Sequence, residues 1–184
     1  MKYYVKHWCI AILLIAISAC TQPDKQNEKT TQKENSYKSP TGNFSIHFPS
    51  QPTVSNEVVP TEAGDISVTL TICEVTQNEA YMVSHSDYPD TIIKNSIADS
   101  LLLGAMRGAI NSIGQTSMKY VKNIKYKNKF PGLSFAAQSS KNYFVIYELY
   151  LVKNRLYQIG AISLNQYVSD NAQKDFFGSF TINE

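Results

Sequence analysis

Cysteine, histidine and net charge are all scarce in this 184-residue chain. Cysteine occurs only at positions 9, 20 and 73, too few for the disulfide framework that staples small secreted domains. Three histidines, at 7, 47 and 85, do not assemble a metal cluster with one another or with a lone thiol. Seventeen basic residues against fifteen acidic ones leave a formal charge of +2, which argues against a strongly basic nucleic-acid binder. The G-x-S-x-G pattern of a hydrolase nucleophile elbow is absent. Long apolar runs are missing as well. The longest, Cys9 to Ala19, makes a helix that reaches about half of a ~30 Å hydrocarbon core, too short for a permanent transmembrane span.

That short run is nevertheless informative. Lys2 and Lys6 precede it without an acid, the small residues Ser18 and Ala19 end it, and the chain turns polar at Thr21. This is the pattern of a secretory signal peptide. The four residues Ile17-Ser18-Ala19-Cys20 resemble the lipobox of bacterial lipoproteins. The resemblance implies that Cys20 receives a diacylglyceryl group, that cleavage falls just before it, and that Cys20 becomes an acylated first residue bearing palmitate-like chains. Two or three acyl chains hold a protein stably at ~0.8 kcal/mol per buried CH₂, where one holds it marginally. The competing reading is an ordinary signal peptide with a cysteine near its cut. Thr21 in place of aspartate resembles the pattern of outer-membrane lipoproteins, so the expected location is the cell envelope, on the periplasmic side of the outer membrane in a Gram-negative cell.

Loss of residues 1–19 would remove Lys2 and Lys6 and leave fifteen basic against fifteen acidic residues. Cys73 would remain as a single thiol, expected to be buried. Residues 20–40 are rich in Gln, Lys, Glu, Asn and Thr, with Tyr37 the only aromatic. Such a segment buries too little apolar surface to offset chain entropy, and is expected to be a flexible tether of about 25 Å average reach. Residues 41–184 have the size of one domain.

Within that domain "GNFSIHFP" alternates as a half-buried strand, with Phe44, Ile46 and Phe48 on one face. Strands are also expected over 54–59, 66–75 and 80–86, with "PTEAGD" as a turn. In the 66–75 strand, Ile66, Val68, Leu70 and Ile72 share one face and Thr69, Thr71 and Cys73 the other. The period then lengthens. Ile97, Leu101, Ala105, Ala109 and Ile113 recur at helical spacing, with Ser96 as the expected N-cap and Gly114 as the stop. Gly104 and Gly108 on this helix are expected to permit close approach to a sheet. Strands over 122–130, 133–139, 143–152 and 156–163 follow, with "VKNRL" as a tight hairpin, then a short helix over 170–177 that offers Phe176, Phe177 and Phe180 to the core. Strands, helix, strands, helix reads as α+β, an antiparallel sheet covered by helices.

Three stretches invite functional readings. His85, Ser86, Asp87 and Tyr88 stand together at a strand end, but neighbours in a strand point to opposite faces, so they do not make a triad by adjacency. The favoured reading is structural, with "SDYP" ending the strand and Tyr88 packed. "KYVKNIKYKNKF" holds five lysines; Lys125, Lys127 and Lys129 are expected on one strand face as a contact for anionic headgroups or an acidic partner, against the plainer and favoured reading of a solvated face that discourages edge pairing. "NYFVIYELYLV" is apolar on both faces, as a central strand should be, with a tyrosine-lined ligand groove as the alternative. Glu148 within it is expected to pair with Arg155 or a lysine.

"GNFSIHFPSQP", "EAYMVSHSDYP", "FPGLSFAAQ", "YLVKNRLYQIGAI" and the closing "DFFGSF", with the helix ending at Gly114, together resemble a group of bacterial envelope proteins with a PsbP-like α/β/α sandwich. The likeness covers roughly residues 41–182. Members of the wider fold include a photosystem II extrinsic subunit and a Ran-binding import factor, both protein-binding modules. The resemblance therefore implies a non-enzymatic domain, with no cofactor and no catalytic set to carry over. The leading expectation is a lipid-anchored envelope protein that binds another protein or stabilises an assembly. A carrier of small apolar ligands, in a cavity of several hundred Å³ between sheet and helix, is second, and a hydrolase around His85 and Asp87 is third.

Overall fold

The computed structural model describes residues 36–61, 64–114 and 116–183. The expected leader (1–19), Cys20 and most of the expected tether lie outside the described residues. Five strands come first: β1 (Ser36–Lys38), β2 (Phe44–His47), β3 (Thr53–Thr61), β4 (Gly64–Thr76) and β5 (Glu79–Asp87). Helices α1 (Asp90–Asn95) and α2 (Ala98–Ser112) follow. The meander β6 (Thr116–Tyr126), β7 (Phe130–Ser139), β8 (Tyr143–Val152) and β9 (Arg155–Leu164) comes next, then α3 (Asp170–Gly178) and β10 (Thr181–Ile182). Seven strands form one antiparallel sheet in the order β3-β4-β5-β9-β8-β7-β6, and β1, β2 and β10 form a second. The helical connection α1–α2 carries the chain from β5 to the far edge, where β6 starts a meander that returns β9 to the side of β5.

Alternation along β8 explains the two cores. Val145, Tyr147, Leu149 and Leu151 enter one cluster with Leu102 of α2, Phe135 and Leu156. Ile146 and Tyr150 enter the other with Phe44, Phe176 and Phe180, under α3 and the small sheet. The strand is covered on both faces, as its composition demanded. The second cluster is dense in rings. Phe180 stacks on Tyr150 (centroids 6.2 Å, planes 5° apart) and lies 5.7–6.1 Å from Tyr157, Phe44 and Tyr126.

Several expectations are corrected. The folded unit includes residues assigned to the tether: β1 pairs with β2, and Tyr37 packs against Phe44 and Phe48. Cys73 is buried as expected, and with it Thr71 on the same face of β4; on the other face Ile66 is buried and Val68, Leu70 and Ile72 are half-buried. Ser96 does not cap α2. It ends the unanticipated helix α1 in extended conformation, and α2 starts after Ile97 without a side-chain cap. Gly114 does take the left-handed conformation (φ 89°) just past α2. Gly104 and Gly108 face open space rather than a sheet, since a Cβ at either would meet nothing within 4 Å. With no close approach to preserve, Gly104→Ala and Gly108→Ala should each stabilise the protein by about 0.5–1 kcal/mol, read as a higher urea midpoint with unchanged m. Glu148 pairs with neither Arg155 nor a lysine. It accepts a hydrogen bond from Tyr150 Oη at 2.7 Å, and burial raises its carboxyl above the usual range.

Candidate functional site: the hairpin end of the sheet

Two of the three turns of the meander, β6–β7 and β8–β9, lie at the same end of the large sheet. Between β6 and β7, Lys127 (φ 47°) and Asn128 (φ 56°) are both left-handed, and Lys129 N donates to Tyr126 O at 3.0 Å. Between β8 and β9, Lys153 is left-handed as well (φ 58°). This corrects the reading of Lys125, Lys127 and Lys129 as one strand face. Lys125 stays on β6, opposite Pro131, while Lys127 and Lys129 sit in the turn. The structure instead groups Lys127 and Lys129 with Lys153, which the sequence offered only as part of a turn. A lysine followed by asparagine marks all three hairpin tips (127–128, 141–142 and 153–154), a signal that finds the turns but not which of them meet.

The chain termini of the domain close on this end. Arg155 donates from Nε and Nη2 to the two carboxylate oxygens of Asp87, both at 2.7 Å, and from Nη1 to Thr41 O at 3.0 Å. Tyr157 Oη donates to Gly42 O at 2.8 Å, and Asn183 N donates to Asn43 O at 2.8 Å. Ile182 N donates to Tyr126 Oη at 2.8 Å. Tyr88 N donates to Asn154 O, which ties the end of β5 to the β8–β9 turn. The Arg155 hydrogen bonds hold the Asp87 carboxyl below the usual carboxylate range. As Asp87 is half exposed, the pair contributes little stability by charge alone and serves chiefly as a clamp.

These segments enclose an open cleft of about 600 Å³. Its walls include Asp87, Tyr126, Lys127, Lys129, Lys153 and Arg155. Lys127 Nζ lies 5.5 Å from the Tyr126 ring centre, and Lys129 Nζ lies 4.9 Å from that of Phe130. Among the described residues the one ion pair is Arg155–Asp87, so the three lysines face the cleft without a carboxylate partner. The cleft can therefore receive an anion between ammonium groups, beside aromatic walls.

The "HSDY" stretch is divided by strand geometry. His85 and Asp87 share the face toward Phe44 and the cleft, Ser86 points to the opposite face, and Tyr88 packs against the α2-side core. His85 is 6 % exposed and its Nδ1 has no hydrogen-bond partner. Burial first, then the Arg155 charge, lower its pKa, partly opposed by Asp87. A histidine depressed in the folded state binds more protons when unfolded, so its contribution is intact above about 6.5 and is lost as pH falls below that value. The urea midpoint should fall between pH 7.5 and 5.5, and His85→Leu should flatten that part of the profile.

No protein-family profile matches the sequence, and no curated protein matches it. Among solved structures, the cyanobacterial PsbP (CyanoP) of Synechocystis sp. PCC 6803, determined in solution, is similar in fold. Its TM-score is 0.54 at 11 % sequence identity, over 80 % of this chain and 91 % of that one. The likeness is one of fold: antiparallel strands with few helices, PsbP-like in arrangement.

Proposed function

We propose that this protein is a lipid-anchored, non-enzymatic binding module of the cell envelope, a variant of the PsbP-like α/β/α sandwich, and that the hairpin end of its sheet is the recognition surface. The observation that carries the reading is the convergence of Lys127, Lys129 and Lys153 around one open cleft, with Arg155 and Asp87 bracing the wall. The two faces of the central strand are committed to the protein's own cores, which leaves the end of the sheet to present polar groups. The lipobox at Ile17–Cys20 supplies the anchor, and the envelope partner is a protein presenting an anionic segment.

Two measurements test this. After metabolic labelling with palmitate and detergent phase partitioning, wild-type protein is expected in the detergent phase with label. Cys20→Ser protein should be uncut, unlabelled and aqueous. Unlabelled wild-type protein in the aqueous phase would defeat the anchor. For the recognition surface, a photocrosslinking residue at position 153 should form a discrete adduct in intact cells, and one at Asn78, toward the other end of the sheet, should not. Equal labelling from both positions would remove the assignment.

The small-ligand alternative gains less. A second, mainly apolar recess lies between the α1–α2 segment and the sheet, at the same end, but its volume of about 200 Å³ falls short of the several hundred expected of a carrier cavity.

A further inference from the structure

The two recesses share lining residues beside the place where one ladder of the sheet stops. β7 starts at Phe130 and β8 runs to Val152, yet their pairing stops at Gly132↔Tyr150. Pro131, next to that last pair, has no N–H to continue the ladder. β7 stays paired with β6 as far as Tyr126↔Phe130, and β8 with β9 as far as Val152↔Arg155. The ladder between the hairpins thus ends two positions short of the ladders within them, and the unbridged stretch flanked by Phe130, Pro131, Leu151 and Val152 is termed the notch. On one side of the notch is the apolar recess, with Ile93, Ala98, Leu101, Pro131 and Leu151 in its walls. On the other is the lysine-rimmed cleft. Phe130 and Lys153 line both.

We infer that the notch between the two hairpins is a binding site for a small anionic amphiphile. The phosphate or carboxylate lies among Lys127, Lys129 and Lys153, and a short alkyl or aryl group passes Phe130 into the recess under α2. The inference rests on the hairpin end being the recognition surface, and gives that surface a small-molecule ligand beside the proposed protein partner. Charge complementarity selects the head, because the three ammonium groups have no carboxylate partner among the described residues. The apolar lining selects the tail. Two of the lysines also occupy left-handed turn positions (φ 47° and 58°) where glycine or asparagine would be less strained, so their charge is kept at a conformational cost.

The test uses the full-length protein as cells process it, held in phosphatidylcholine nanodiscs and titrated calorimetrically with hexyl phosphate, inorganic phosphate and 1-hexanol. Hexyl phosphate should bind at least tenfold more tightly than either fragment. Ala98→Phe, which fills the apolar recess, should bring hexyl phosphate to the affinity of inorganic phosphate and leave the latter unchanged. Lys127→Gly, which removes a charge and relieves the turn, should raise the melting temperature and still weaken hexyl phosphate severalfold. If phosphatidylglycerol nanodiscs compete with hexyl phosphate, a lipid headgroup is the source; if they do not, it is a soluble amphiphile. Equal binding of hexyl phosphate and inorganic phosphate overturns the apolar arm, and equal binding of hexanol overturns the anionic arm. Failure of all three probes alongside a discrete adduct from position 153 overturns this inference and leaves the recognition surface standing. Failure of both overturns both.

Discussion

Replacing Phe180 by alanine should cost about 3–5 kcal/mol of folding stability, the range for removing a fully packed aromatic ring. Phe180 is 7 % exposed and touches rings from four separate elements or turns: Phe44, Tyr126, Tyr150 and Tyr157. No neighbour can close the vacancy without abandoning its own ring contacts, so the void stays largely open. For a domain of this size the melting temperature should drop by roughly 6–20 °C. The effect should also reach the cleft. Phe180 immediately precedes β10, whose Ile182 N is held by Tyr126 Oη, and Asn183 beyond it is held by Asn43. Phe180→Leu should recover most of the stability. A Phe180→Ala protein that melts within 2 °C of wild type would mean that the ring cluster is not a unit.

Gly132→Ala should destabilise by about 1–3 kcal/mol through overpacking, toward the upper end because the obstruction includes backbone. An ideal Cβ there lies 2.5 Å from Leu149 O and 2.6 Å from Tyr150 Cδ1. A flexible side chain could turn aside; the carbonyl of a central strand cannot without disturbing the ladder on its other side, where Leu149 is in register with Gln158. Since Gly132↔Tyr150 is the last pair of the ladder between the hairpins, relief of the clash should move that boundary inward. Chemical denaturation reads the stability loss, and amide exchange at residues 132–134 and 148–150 reads the opened ladder. Unchanged exchange with full stability would show that the strands stand further apart than the structure has them.

The elements differed in how openly they were written. Tyr143–Val152 was legible to the residue, because strict alternation between two apolar sets leaves no other way to bury both. The β6–β7 turn was misjudged because lysine recurs at every second position from 125 to 129, as it would on one strand face; the left-handed backbone at Lys127 and Asn128 shows that pairing has ended. Ser96 was misassigned because a serine before an apolar helical period has the chemistry of a cap whether or not the backbone places it at one. Gly104 and Gly108 imitate a packing motif, and nothing local distinguishes a glycine that admits a neighbour from one that faces solvent.

Composition and periodicity by themselves determined the class of the domain, the covered central strand and the helix that ends at Gly114. Each follows from interactions between residues near in sequence or from the count of a residue type. Tertiary structure alone decided the meeting of Lys127 and Lys129 with Lys153, the clamp of Arg155 on Asp87 across 68 positions, and the notch at Pro131. These depend on strand order and on where two ladders stop, and such long-range pairings leave no periodic trace in the segments that make them.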